Sequence, residues 1–205
     1  MSVVAVILAA GEGRRMGAPK ALLPLEGTTF LARAAELMSR PGVTSIVAVL
    51  GHQAGRVAVE TALPKHVTVV ENPRWAEGML TSVHRGLDEA EARGADALLL
   101  HPVDHPLVSP DTVDRVLKAL QAGAVVAVPS YGGRRGHPGG FAAASWPALR
   151  AAPVDRGARA VLADHPDWIL HVPGDPGSVA GIDTPEQYAR LVGPRPGARG
   201  SPRRP

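Results

Sequence analysis

Val3-Val4-Ala5-Val6-Ile7-Leu8-Ala9-Ala10-Gly11-Glu12-Gly13-Arg14-Arg15-Met16-Gly17-Ala18-Pro19-Lys20 is the stretch from which the fold is read. Its first six residues form an unbroken Val/Ile/Leu/Ala run, the pattern of a parallel strand buried on both faces. After Ala10 the chain becomes a loop of small residues with three glycines and three cations, Arg14, Arg15 and Lys20. Glycine lets backbone N–H groups come close to a ligand, and the cations supply charge, so the loop is built to hold phosphate. It is not a P-loop, because Lys20 follows Pro19 and precedes Ala21 where that motif needs Gly-Lys-Ser/Thr. It is not a dinucleotide fingerprint either: Met16 stands at the third glycine position, and Pro19 and Pro24 break the helix that should come next.

Outward from this stretch, short β-rich runs alternate with segments of helical period. Strands are predicted at 45–50, 67–70, 97–100, 124–128 and 169–172, and helices at 30–38, 54–63, 80–92, 110–120, 156–163 and 185–191. Ser109 is read as the cap of the fourth helix, with Pro110 at its first position. Between 132 and 140 the pattern changes to five glycines around Arg134, Arg135, His137 and Pro138. The βαβα order predicts a three-layer, Rossmann-like α/β fold with a mostly parallel sheet. In such sheets ligands lie at the carboxyl ends of the strands, which directs attention to the residues after Leu8, Leu50, Val70 and Leu100.

The composition sets the bounds. The chain has 205 residues, 45% of them hydrophobic and 20% charged, which excludes a disordered, fibrous or disulfide-built protein. There is no cysteine, so thiolate metal sites are excluded and a reducing cytoplasm is the expected location. Seven aromatic residues leave little material for stacking nucleic-acid bases. The net charge is +3, but Arg195, Arg199, Arg203 and Arg204 contribute +4 within the last fifteen residues, which leaves about −1 for residues 1–190. The basic balance therefore belongs to a Gly/Pro/Arg tail. The expected organisation is one domain over 1–192 followed by a disordered tail over 193–205, without a specific nucleic-acid partner. No run of eighteen apolar residues suggests a membrane span, and the apolar start reads as a core strand rather than a signal peptide.

Written as L-A-A-G-x-G-x-R-M-G-x-P-K, the loop resembles the signature of MobA-like nucleotidyltransferases. Asn72-Pro73-Arg74-Trp75-Ala76-Glu77-Gly78-Met79, Val103-Asp104-His105-Pro106, Gly136-His137-Pro138, Asp155-Arg156-Gly157-Ala158-Arg159 and Ile182-Asp183-Thr184-Pro185-Glu186 agree in order over about residues 3–192. Together they are most similar to the molybdenum cofactor cytidylyltransferases. The resemblance implies a glycosyltransferase-A type fold and a Mg²⁺-dependent transfer of CMP from CTP to a phosphorylated acceptor, molybdopterin, with release of pyrophosphate. It also implies a molybdoenzyme as client. Three alternatives stay open: a sugar phosphate as acceptor, GTP as donor to molybdopterin, or a non-catalytic nucleotide-binding chaperone of the cofactor.

The reaction needs charge stabilisation at the α-phosphate and at the leaving pyrophosphate, and a phosphate acceptor needs no strong base. Lys20, at the end of the loop, is the expected triphosphate contact, supported by Arg15. Asp104, just past a strand, can hold Mg²⁺ over phosphates, although an aspartate before Pro106 also suits a turn. The resemblance makes Asp104 and Asp183 the metal acids and sets Leu8, Ala9, Ala10, Gly11 and Gly13 against base and ribose. Asp183 has a competing reading, because Asp-Thr-Pro-Glu is also a helix start capped by Asp183 or Thr184. Relatives often carry an acid where Gly181 stands here. Asn72 matches a nucleotide-holding position or an Asn-Pro turn, and Ser82 faces nucleotide, acceptor or its own helix. His137, Arg134 and Arg135 fit the acceptor side. Alanine at position 10, where guanylyltransferases of this type tend to have glycine, favours CTP over GTP. The His101-x-x-x-His105 spacing is not a zinc helix, because Pro102 and Pro106 exclude one. Met16, Met38 and Met79 are read as packing residues.

Overall fold

The computed structural model describes residues 1–154 and 157–194. Asp155, the expected helix start at Arg156, and 195–205 of the expected tail lie outside the described residues. The first strand, β1 (Val3–Ala9), is buried along its whole length and lies at the centre of the sheet. Its side chains alternate between two cores: Val3, Ala5 and Ile7 enter one, and Val4, Val6 and Leu8 the other. That is why the run is apolar without a polar alternation.

A small hairpin, β2 (Pro24–Leu25) with β3 (Thr28–Thr29), leads into α1 (Phe30–Met38), whose N-cap Thr29 accepts from the Ala32 N–H at 3.2 Å. Next come β4 (Val43–Leu50), α2 (Ala54–Glu60), β5 (Val67–Glu71), α3 (Met79–Ala92), β6 (Ala97–Pro102) and α4 (Pro110–Gln121). The chain then continues through β7 (Val126–Tyr131), β8 (Arg134–Arg135), β9 (Gly139–Ala142), α5 (Trp146–Ala151), α6 (Ala158–Asp164), β10 (Ile169–Pro173) and α7 (Pro185–Leu191). The sheet order is β10-β7-β9-β6-β1-β4-β5, with β8 paired to β7. β1 pairs in parallel with β4 and β6, β4 with β5, and β7 with β10.

Residues of α1, α4 and α7 share one core with the odd positions of β1, and residues of α3, α5 and α6 share the other with the even positions. The three-layer α/β expectation is met. The sheet is mixed: the short β8 pairs antiparallel with β7, and β9 runs antiparallel between β6 and β7. Sequence pattern predicts no strand there, because Gly139-Gly140 has poor β propensity. The glycines are needed all the same, since a Cβ on Gly140 would come within 2.8 Å of both Val116 and Leu120 of α4. Helix α5 is likewise absent from the sequence pattern, and the helix expected over 54–63 ends at Glu60.

Candidate active site

Two strand ends and one helix start converge beside the glycine loop. Leu8 and Ala9 end β1, Pro102 ends β6 with Asp104 two residues on, and Asp183 precedes α7. Together with Gly11, Gly13, Arg15 and Lys20 they line an open cleft of about 210 Å³. The loop keeps its shape through Gly13, whose φ of 69° lies in the left-handed region and where a Cβ would meet the Ala18 carbonyl oxygen at 2.1 Å. The Met16 N–H donates to the Gly13 carbonyl at 2.8 Å, closing a short turn that aims Arg15 at the cleft mouth.

Lys20 is the centre of the charge. Its Nζ donates to Asp104 Oδ2 at 2.7 Å and to Asp183 Oδ1, and Arg15 Nη2 stands 3.2 Å from the same Asp183 oxygen. The lysine and Asp104 are both about one-fifth exposed, whereas Arg15 is open to solvent. Burial alone would lower the Lys20 pKa, but the carboxylates of Asp104 and Asp183 outweigh it and hold the ammonium above its usual value. Asp104 Oδ1 is buried and has no hydrogen-bond partner among the described residues. The competing reading of Asp183 as a helix cap is not what the structure holds. Thr184 caps α7 in a full capping box with Gln187, which leaves the Asp183 carboxylate free to face Lys20.

Other expected residues are placed differently. Asn72 and Ser82 are buried outside the cleft lining: Asn72 Nδ2 donates to Thr81 Oγ1 at 2.8 Å and Ser82 Oγ at 2.9 Å, and Asn72 Oδ1 accepts from the Arg74 N–H at 3.0 Å. The amide is thus engaged within the protein, where it ties the end of β5 to the start of α3. Ala10 is buried too, and its methyl lies behind the cleft toward Gly51 and Trp75, since a Cβ on Gly51 would meet both. Arg134 and Arg135 are exposed on β8, with Arg134 Nη2 donating to the Val179 carbonyl at 3.2 Å.

His137 does not point to solvent. Its ring packs edge-on against His105 with centroids 4.6 Å apart, and burial, with the neighbouring His105 next in weight, pushes its pKa down to about 3. His101 is fully buried on β6 and is held neutral chiefly by burial. No group of three or more His, Asp or Glu side chains among the described residues is arranged to hold a metal. Burial lowers the pKa of His101, His105 and His137 alike, so the three form a neutral wall beside Asp104.

Two features escape the sequence. Met79 is not a packing residue: it is 63% exposed and lines the cleft. Gly78 just before it has a φ of 134°, but nothing in a sequence marks that turn. The second is Asp175, whose carboxylate accepts from the Ser109 N–H, Ser109 Oγ, Thr112 Oγ1 and the Gly177 N–H. Those bonds pin the segment leading to Asp183 onto the start of α4.

Comparison with known proteins gives the family. The family model for the MobA-like NTP transferase domain matches residues 5–169. The chain belongs to the MobA-like NTP transferase family. It is 36% identical to nicotine blue oxidoreductase of Paenarthrobacter nicotinovorans, over 93% of this chain and 96% of that one. It is 31% identical to the molybdenum cofactor guanylyltransferase of Rhodobacter capsulatus, over 99% and 97%. Among solved structures it is similar to Rv0371c of Mycobacterium tuberculosis, with a TM-score of 0.80 and 29% identity over 93% of this chain and 97% of that one. Rv0371c has also been solved in complex with manganese, which superimposes with a TM-score of 0.72 at 28% identity, over 94% and 98%. As a MobA-like chain, the protein is a nucleotidyltransferase.

Proposed function

We propose that this chain transfers CMP from CTP to a phosphorylated acceptor, molybdopterin, and releases pyrophosphate. The observation that carries the reading is the Lys20 ammonium set between Asp104 and Asp183 at the end of the glycine loop. One cation and two acids, one just past β6 and one just before α7, suit a triphosphate and its metal.

In the proposed reaction an acceptor phosphate oxygen attacks the α-phosphorus of the nucleotide. The new P–O bond forms as the bond to the β-phosphate oxygen breaks, and the electron pair leaves with pyrophosphate. The acceptor is already anionic, so no residue need take a proton. Lys20 and Arg15 face the cleft with the positive charge that the leaving pyrophosphate requires. Leu8, Ala9, Gly11 and Gly13 offer a backbone lining that a nucleotide can approach closely. Asn72 and Ser82 act from behind, as positioning residues for the start of α3.

The two carboxylates fit a divalent cation: both reach one point, and Asp104 keeps a second oxygen, Oδ1, that has no partner among the described residues. We assign Mg²⁺ to Asp104 and Asp183, where it would neutralise phosphate charge once bound. We assign the exposed Arg134 and Arg135 of β8 to the acceptor's phosphate. The buried His137 serves as wall rather than contact.

The guanylyltransferase relative favours molybdopterin as acceptor and GTP as donor; the alanine at position 10 favours CTP. The test is a pyrophosphate-release screen of four NTPs against molybdopterin and several sugar phosphates with Mg²⁺. CTP with molybdopterin should give the fastest release; release only with a sugar phosphate would replace the acceptor. NTP binding with no release from any pair would favour the chaperone alternative.

A further inference from the structure

Lys20 stands where a cation would have to stand. Its Nζ occupies the point shared by Asp104 Oδ2 and Asp183 Oδ1. A Mg²⁺ ion bridging those oxygens needs them at about 2.0–2.1 Å, and so would claim the volume the ammonium fills. The two cations cannot both hold the same pair of oxygens in that place.

The backbone around Lys20 is fixed by main-chain bonds, whereas its side chain is held only through the ammonium's contacts with the two acids. Lys20 opens a short turn through Leu22, closed by the Leu23 N–H on the Lys20 carbonyl at 3.0 Å, and Ala21 beside it is buried. The four-carbon stem is the movable part, and it lines the cleft in which a triphosphate would lie. A triphosphate offers the ammonium new oxygens; a bare cation offers it only repulsion. We infer that Lys20 acts as a tethered counter-ion that keeps bare divalent cations off Asp104 and Asp183, so that metal and nucleotide enter together. This rests on the reading of the two acids as the metal site.

The consequence is a pair of opposite effects from one substitution. Losing the ammonium removes a phosphate contact and weakens NTP binding, yet it also removes the competitor and tightens metal binding in the nucleotide-free protein. A lysine that only helped to organise the acids would move both affinities downward.

The experiment measures Mn²⁺ binding to the full chain without nucleotide, by the paramagnetic resonance signal of the free ion, for the unaltered protein, Lys20→Met, Lys20→Arg and Asp104→Asn. Lys20→Met should bind Mn²⁺ roughly tenfold more tightly, the scale of one charge-assisted hydrogen bond no longer competing. Lys20→Arg keeps a cation in the site and should gain nothing. Asp104→Asn should lose the binding. Equal or weaker binding by Lys20→Met, with binding still lost in Asp104→Asn, overturns the inference and leaves the metal assignment intact. Binding that survives in Asp104→Asn overturns both. A second readout needs no variant: acylation of Lys20 by an amine-reactive ester, followed by mass spectrometry, should rise when Mn²⁺ is added without nucleotide. No change in Lys20 labelling at saturating Mn²⁺ also overturns it.

Discussion

The backbone N–H of Ile182 donates to the carbonyl oxygen of Asp104 at 2.9 Å, stitching together two acid-bearing segments that are far apart in the sequence. On the other side, the Val103 N–H donates to the Leu8 carbonyl at 3.1 Å, so the same loop is also tied to the end of β1. The spacing of Asp104 and Asp183 is therefore set by main-chain bonds that do not use their carboxylates. Charge can be removed from either acid without removing what holds it in place.

That separation yields the first prediction. Asp183→Asn and Asp104→Asn should each lower metal-dependent turnover by roughly ten- to a hundredfold, the scale of a lost charge-assisted contact. Thermal stability should hold in Asp183→Asn, because Thr184 and Gln187 supply the cap of α7. Steady-state pyrophosphate release and a melting curve on the same sample check it. Intact turnover in Asp183→Asn would remove this residue from the site.

Lys20→Ala should weaken NTP binding by roughly ten- to a hundredfold, since a charge-assisted phosphate contact is worth about 1.5–3 kcal/mol. The fold should survive, because the ammonium contacts acids at the cleft and no part of the core. Calorimetric titration with CTP is the measurement. An unchanged affinity would take Lys20 away from the triphosphate.

Asp175 gives a stability prediction with a pH signature. Asp175→Ala leaves Ser109, Thr112 and Gly177 donors without their shared acceptor and should cost about 1–3 kcal/mol. Burial works to raise the carboxyl pKa, but the bonds from Thr112, Ser109 and Gly177 prevail and lower it below the ordinary aspartate value. A lowered folded-state pKa means that this stability is present above the unfolded value near 3.9 and lost as pH falls through the folded one. Urea unfolding at pH 7 and at pH 3 should therefore separate wild type from Asp175→Ala more at the higher pH.

How much of the molecule is legible in its sequence depends on what each feature asks of its residues. β1 and the loop after it are readable, because a doubly buried strand demands an apolar run and a phosphate loop demands glycine and cations. The pairing of Lys20 with Asp183 is not: 163 positions separate them, and only the sheet topology brings them together. Strand β9 is hidden because its glycines answer to the packing of α4, which local propensity does not register. Resemblance suggests a nucleotide contact for Asn72 and leaves Ser82 open between nucleotide, acceptor and its own helix, while their buried mutual bond is visible only in three dimensions. Thr184 and Asp183 are indistinguishable as caps until the Gln187 side chain is seen to complete the box on Thr184.

Gly86 lies in the middle of α3, where alanine would ordinarily be the better helix former. Here a Cβ would come within 2.5 Å of Val6 Cγ1 on β1, so Gly86→Ala should destabilise the protein by about 1–3 kcal/mol through overpacking. Adding Val6→Ala should recover part of that loss, which a double-mutant cycle of denaturant midpoints would read as a coupling between the two sites. Strict additivity would mean that α3 moves away from β1 instead of clashing with it.

The last prediction concerns the base. A purine is wider than a pyrimidine by a whole ring, and in the proposed reaction the wall of the cleft beyond Ala9 is what would discriminate between them. That wall is backed by the Ala10 methyl, with Gly51 and Trp75 behind it. The three pack closely enough that even a Cβ on Gly51 would lie 2.8 Å from the Ala10 Cβ and 2.5 Å from the Trp75 Cβ. The His52 N–H also donates to the Ala10 carbonyl at 3.0 Å, so the loop backbone cannot easily withdraw to make room. CTP should accordingly be turned over in preference to GTP. Removing one methyl changes selectivity by only about 1–3 kcal/mol, so Ala10→Gly should narrow the CTP:GTP ratio of kcat/KM without inverting it. Competition assays with both nucleotides in one mixture measure that ratio directly. Equal or faster turnover of GTP by the unaltered protein would place the chain with guanylyl transfer and leave the roles of Lys20, Asp104 and Asp183 to be judged by their own variants.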